Sequence, residues 1–107
     1  KYQFYTYGDT GTGTAYANLI TFDLTLLMLT CLPTITHDTP VFKNIEDRAM
    51  AKIIQLYTTF DKQIFIAIDK IHSYDESVVT ALEKNEVLKL SADKTLFIKN
   101  WKQPYSL

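Results

Sequence analysis

Cysteine is almost missing from this chain. Cys31 stands alone among 107 residues, so neither a disulfide framework nor a cysteine-rich metal site can form within it. Its place in an apolar run predicts a buried thiol in a reducing cytoplasm. Glycine and proline are sparse as well, three of each, which leaves little material for a loop-rich fold. A surplus of charge is also lacking. Eleven Lys and Arg oppose twelve Asp and Glu for a net charge of -1, so nothing is left over to neutralise a row of phosphates or to hold an anionic membrane surface. What is present is globular in character. Hydrophobic residues make up 47% and charged residues 21%, which excludes disorder as the main state, and the length suits one domain over residues 1–107.

The longest apolar stretch, residues 15–35, approaches the roughly 20 residues that a membrane-spanning helix needs. Asp23 near its middle and Pro33 toward its end argue against insertion, and no Lys or Arg cluster flanks it. A buried helix followed by a strand, with no membrane partner, is the better reading. The opening KYQFYTY has neither the sections of a signal peptide nor an initiator Met, which predicts a C-terminal fragment of a longer protein.

Pattern and punctuation then lay out the elements. Residues 2–7 are rich in Tyr and Phe and read as a strand that enters the loop from Gly8 to Thr14, where all three glycines lie. From Ala15 to Cys31 apolar residues occupy nearly every face, as in a central helix buried on most sides, with Thr12 or Thr14 placed to cap it. A short strand over Leu32–Thr36 ends at His37-Asp38-Thr39-Pro40. Asn44 and Asp47 resemble a capping pair ahead of a helix carrying Met50, Ile53, Ile54 and Tyr57. Gln63–Ile68 is almost continuously apolar, as in a strand covered on both faces, and stops at Asp69. Ser73 and Glu76 fit a capping box before a third helix that turns Val78, Val79 and Leu82 inward. Residues 86–90 and 95–101, joined by the polar turn 91–94, read as a terminal hairpin. The expected fold is therefore α/β: a mainly parallel sheet with helices packed on it, right-handed crossovers and a C-terminal β-hairpin.

Ligands of such sheets sit beyond the carboxyl ends of the strands, where Asp38 and Asp69 fall. Three features there could carry chemistry. The loop Thr10, Gly11, Thr12, Gly13 and Thr14 lets an anion approach backbone N–H groups at the positive end of a helix, or simply turns the chain from strand to helix. It is not a P-loop, because no Gly-Lys pair exists anywhere in the chain. Asp38 could orient a Mg²⁺-bound water, or it could start a turn beside a partly buried His37. Asp69 could join that network or cap the next turn. Asp23, a carboxylate within an apolar helix, must find solvent, a partner or a backbone donor, and takes no catalytic role.

Taken together, DTGTGTAYANLITFDLTLL, LPTITHDTPVFKNIEDR and KQIFIAIDKIHSY resemble the C-terminal ATPase lobe of bacterial SMC-like, ABC-type coiled-coil ATPases. More narrowly, they resemble the uncharacterised domain-of-unknown-function 2326 family, over nearly the whole chain. The resemblance implies a half-site for ATP and Mg²⁺. Thr10 to Thr14 would replace the signature motif, and Asp38 would match the Walker B aspartate and touch the metal. Asn44, Glu46 and Asp47 would lie on the loop that crosses to a partner subunit, and Asp69 would take the switch position. Thr39 stands where the catalytic Glu is expected and cannot act as a general base, so His37, Glu46 or Asp47 would have to supply one. The implied partners are an N-terminal P-loop lobe of the same protein, a second copy across the nucleotide, and DNA for the parent protein. Two other readings stand beside this one: a non-enzymatic α/β interaction module, and a small Mg²⁺-dependent phosphohydrolase using Asp38 and Asp69.

Overall fold

A computed structural model describes residues 11–97. Helix α1 (Thr12–Leu29) is followed by strand β1 (Thr34–Asp38), the short helix α2 (Thr39–Phe42), helix α3 (Asp47–Tyr57), strand β2 (Gln63–Ala67), a 3₁₀ turn (Ile71–Ser73) and helix α4 (Glu76–Lys84). The strands pair in parallel, with Thr34 opposite Gln63 and Asp38 opposite Ala67. A parallel pair needs a crossover, and α2 and α3 provide it. The expected α/β class and parallel pairing are met. The predicted first strand over residues 2–7, and Thr10 with it, lie outside the described residues.

Alternation along the strands decides which face is covered. Ile35 and His37 of β1 and Ile64 and Ile66 of β2 point to the helices, while Thr34, Thr36, Asp38, Gln63, Phe65 and Ala67 are exposed. This corrects the expectation for Gln63–Ile68. An apolar run implies cover on both faces, but Phe65 remains 50% exposed. Beneath the sheet, Ile20 and Leu24 of α1 meet Phe42, Ile45, Met50, Ile53, Ile54, Tyr57 and Val78 in one core. Helix α3 enters it because its apolar residues recur at helical spacing and its charged residues fall on the other side.

Helix α1 is buried along one stripe, Ile20, Leu24 and Leu27, rather than on most sides. Leu19, Phe22, Met28 and Leu29 are exposed, so its uniformly apolar composition overstated its burial. Its N-cap is Gly11, with no side-chain capping bond; Thr12 is already the first helical residue. At the other end Lys62 takes over. Its Nζ donates to the carbonyls of Leu27 at 2.6 Å and Thr30 at 2.7 Å, so a cation satisfies orphan acceptors at the negative end of the helix. Because Lys62 directly precedes β2, this contact also fixes α1 antiparallel to the strands.

Other local expectations change in the same way. Helix α3 starts one turn after Asn44, with Glu46 as N-cap and no side-chain capping bond. Helix α4 has Asp75 at its N-cap position with no side-chain capping bond, and the Ser73 hydroxyl bonds back to the Lys70 carbonyl at 2.8 Å instead of forming a capping box. Cys31 is exposed, not buried. The C-terminal hairpin is not formed within the described residues. Ser91 and Lys94 do exchange both backbone hydrogen bonds, at 2.9 and 3.3 Å, so the polar turn closes. The flanking residues 86–90 are irregular, and Val87 is 92% exposed. With no apolar surface to cover, residues 86–90 do not hold as a strand, and the second expected strand, residues 95–101, lies partly outside the described residues. Among the described residues, no helix is long and apolar enough to cross a membrane.

Candidate functional site

The carboxyl ends of β1 and β2 and the amino end of α1 share one rim of the molecule. Gly13 makes the junction. A Cβ placed on it would collide with the carbonyl oxygen of Asn44, and the Ile45 Cα lies only 3.8 Å away. The glycine therefore lets the first turn of α1 press against the segment that follows α2. This brings Gly11, Thr12, Gly13 and Thr14 together with the loop bearing Asn44, Glu46 and Asp47.

Asp38 closes β1 and serves as N-cap of α2, its Oδ1 accepting the Thr39 N–H at 2.7 Å. Proline at the second position of α2 suits this, since its missing N–H would be an orphan there anyway. The carboxylate lies on the exposed face of the strand and stays open to solvent. Thr39 ties the two strand ends together. Its hydroxyl donates to the Ala67 carbonyl at 3.3 Å and accepts from the Asp69 N–H at 3.1 Å. Asp38, Thr39 and Asp69 are thus neighbours, held by a network that spans both strands.

Tyr74 joins this rim from the segment before α4. Burial pushes its phenol above the ordinary value of 10.0, and the charges of Asp69 and then Asp47 add to the effect. Both acids therefore act on one phenol, which links the predicted switch position to the predicted partner loop. Lys70 at the same turn adopts φ 49, a left-handed conformation uncommon outside glycine.

His37 is placed differently. It alternates with Asp38 and turns into the core, where it is 5% exposed. Nδ1 lies 2.6 Å from the Tyr57 hydroxyl, and Nε2 lies 3.1 Å from Oδ2 of Asp23. Phe42 packs edge-on to the ring at 6.3 Å. Three elements thus meet on one imidazole: α1 through Asp23, β1 through His37 itself and α3 through Tyr57. Burial pushes the Tyr57 phenol well above its ordinary range, and the Asp23 charge adds to this. Asp23 finds the partner that an apolar helix obliges it to have, and its side chain, 34% exposed, keeps contact with solvent. Sequence reasoning did not assemble this trio. Two signals were available: the isolated acid in α1, and the position of His37 two residues beyond Ile35 on the inward face of β1.

As a place for Mg²⁺, the rim provides the strand-end carboxylate of Asp38 alone, the Thr39 hydroxyl beside it being committed to Ala67 and Asp69. That fits the share a protein gives to a magnesium ion held mostly by phosphate oxygens and water, and it falls short of an all-protein cage. Among the described residues, no group of three His, Cys, Asp or Glu side chains is arranged to hold a metal.

Comparison with known proteins adds one positive finding. A family model described as uncharacterised protein conserved in bacteria (DUF2326) matches residues 1–100, and the chain belongs to that family. No curated protein and no solved structure matches it.

Proposed function

We propose that this DUF2326 chain is the C-terminal lobe of an SMC-like ATPase head and gives half of a composite ATP site. The single observation that supports this is the packing of Gly13 against the Asn44 carbonyl. It sets the amino end of an 18-residue helix beside the segment that follows Asp38. A phosphate at that end would meet the backbone of the first turn and the positive end of the helix dipole. Asp38 would steady a Mg²⁺ held by the nucleotide, and Asn44, Glu46 and Asp47 would face the second subunit. A P-loop lobe of the same protein would hold the rest of the ATP. Two such heads closing on nucleotide would shift a monomer–dimer equilibrium, because the terminal phosphate is fully contacted only in the closed state. A role for the parent protein in DNA transactions or defence follows from the family analogy alone.

In this reading Thr39 holds the strand ends together rather than acting as a base. His37 faces Asp23 and Tyr57 instead of the rim, which leaves Glu46 and Asp47 as the acids nearest in sequence for activating water. The test uses the parent protein and this chain in parallel. Asp38→Asn in the parent is expected to abolish Mg²⁺-dependent ATP hydrolysis or nucleotide-driven dimerisation, and unchanged behaviour in both removes Asp38 from the site. Titration calorimetry of the 107-residue chain with ATP is expected to show no tight binding. Micromolar affinity for a monomer would show that the lobe needs no P-loop partner and overturn the composite site.

The second reading, a non-enzymatic interaction module, is favoured by the structural use of the same groups: Asp38 caps α2, and both functions of the Thr39 hydroxyl are committed. Under it, Asp38→Asn lowers stability and leaves the parent protein's nucleotide response intact.

A further inference from the structure

Helices α3 and α4 turn charge to solvent: Asp47, Arg48 and Lys52 on the first and Glu76, Glu83 and Lys84 on the second are all exposed. Helix α1 does not. Asp23 is the one charged residue among its 18, and it turns to His37 at the border of the buried stripe. The outer side carries Ala15, Leu19, Phe22, Leu26 and Leu29 instead, all of them exposed. Along the helix these positions recur in steps of four, three, four and three. That averages about 3.5 residues, the period of a seam between two helices.

The polar side chains that flank this stripe are ready to be covered. The hydroxyl of Thr21 donates to the Ala17 carbonyl at 2.8 Å, that of Thr25 to the Thr21 carbonyl at 2.7 Å, and that of Thr30 to the Leu26 carbonyl at 2.6 Å. Covering them strands no hydroxyl hydrogen. The stripe runs for about 21 Å along the helix, at a rise of about 1.5 Å per residue. It exposes roughly 400–500 Å² of apolar side chain, so two copies would bury about 800–1,000 Å² between them, the size of a weak and reversible interface. Charge points to the same occupant. No Lys, Arg or Glu lies between Gly11 and Phe42, so a foreign helix with charged flanks finds no opposite charge here, whereas a second copy brings the same neutral flanks.

We propose that α1 is a dimerisation helix: the outer stripes of two copies of this chain pack in parallel as a coiled coil of two heptads. The parallel order follows from Asp23, which sits beside the seam next to Phe22. In an antiparallel pair the two Asp23 carboxylates meet across the twofold axis and repel, whereas in a parallel pair they fall on opposite sides of the seam. Leu19, Phe22, Leu26 and Leu29 then each meet their own counterpart, and the two rims that carry Gly13, Asp38 and Asp69 lie at the same end of the dimer. One stripe of α1 thus builds the core through Ile20, Leu24 and Leu27, and the other builds the pair. The inference stands apart from the ATPase reading, since it needs no nucleotide and uses no residue of the rim.

Sedimentation velocity of the 107-residue chain without nucleotide tests this. A reversible monomer–dimer equilibrium with a midpoint on the order of 100 μM is expected; a chain that stays monomeric up to about 1 mM overturns the proposal. That includes a monomer in which the Leu26 and Leu29 methyls show nuclear Overhauser contacts to residues 98–107, which would give the stripe to the chain's own end. Leu29→Glu, at a position 73% exposed, should keep the circular dichroism of the parent and weaken the dimer about 100-fold or more, because each dimer loses two buried leucines. Val87→Glu, exposed and away from α1, should leave the equilibrium unchanged. If Leu29→Glu does not fold, Leu19→Gln takes its place, and a dimer that survives the substitution overturns the proposal. Ala15→Cys in a Cys31→Ser background reads the order of the helices. Parallel copies set the two thiols side by side, so mild oxidation yields a covalent dimer, whereas antiparallel copies hold them about 21 Å apart along the axis. A dimer that forms no such cross-link refutes the parallel seam.

Discussion

Replacing Gly13 with alanine is expected to destabilise the protein, against the usual direction for a helix. In an open helix the exchange gains about 1 kcal/mol, because alanine loses less backbone freedom on folding. Here the added methyl would overlap the Asn44 carbonyl oxygen, and the next atoms it meets, the Asn44 carbonyl carbon at 3.5 Å and the Ile45 Cα at 3.8 Å, are also backbone. No flexible side chain can yield. Either α1 lifts from the Asn44 segment or that segment moves, and it is anchored by Ile45 in the core and by the Ile45 N–H bond to Phe42 O at 3.0 Å. Overpacking of this kind costs about 1–3 kcal/mol. Because only backbone can yield, the upper part of that range applies, about 2–3 kcal/mol; offset by the propensity gain, the net loss is about 1–2 kcal/mol, or a fall in melting temperature of about 4–16 °C for a domain of this size. Thermal and urea unfolding followed by circular dichroism measures it. Gly11→Ala is the control: Gly11 has φ -67, open to any residue, so it loses only the N-cap preference for glycine over alanine, about 0.5 kcal/mol, and should cost less than Gly13→Ala. A Gly13→Ala protein as stable as the parent, or more so, would refute the close approach on which the rim depends.

Further outcomes follow from three other contacts. Tyr57→Phe strands the buried Nδ1 of His37 and should cost about 1–3 kcal/mol at neutral pH, read as a lower urea midpoint. The raised phenol also has an alkaline consequence. A tyrosine that keeps its proton longer when folded contributes stability that is whole below about pH 10, its ordinary value, and fades as pH climbs toward the folded value. Alkaline unfolding scans should therefore show a steeper loss in the parent than in Tyr57→Phe, and equal slopes would deny that Tyr57 is buried. Lys62→Met leaves the carbonyls of Leu27 and Thr30 without their cation and should cost about 1–2 kcal/mol, with amide exchange accelerating first in the last turn of α1. Thr39→Val should weaken the join between the strand ends by about 1 kcal/mol, whereas Thr39→Ser, which keeps donor and acceptor, should cost less; equal losses would show that the hydroxyl is not what matters there.

The parts of the fold that were legible in the sequence are those carried by local pattern. Each strand ends at or just before its acid because a β-branched or apolar run gives way there to a turn residue, and α3 emerges because its apolar residues keep one period. Capping was misread where several acceptors compete. Ser73, Asn44 and Thr12 all have the right chemistry, and the choice among neighbours rests on how the chain arrives, which local spacing does not encode. In α1, where nearly all residues are apolar, periodicity has no contrast with which to show a buried face. The terminal turn closes as expected while the strand expected over residues 86–90 does not form, since a turn closes locally while a strand needs a surface to cover. On the rim, Asp38 and Asp69 came together as parallel topology requires. The imidazole cluster escaped because Asp23 and Tyr57 lie 14 and 20 residues from His37, on elements whose packing no short window contains.

Thr39 carries a consequence for any attempt to build a catalytic base into this position. A carboxylate there could receive the Asp69 amide but has no hydrogen to give Ala67, and it would crowd a third negative charge between Asp38 and Asp69. Thr39→Glu would thus unpick the stitch between two strands that no hairpin joins. At this one position, holding the sheet's mouth shut and activating water are competing employments for a single side chain, and this chain has taken the first.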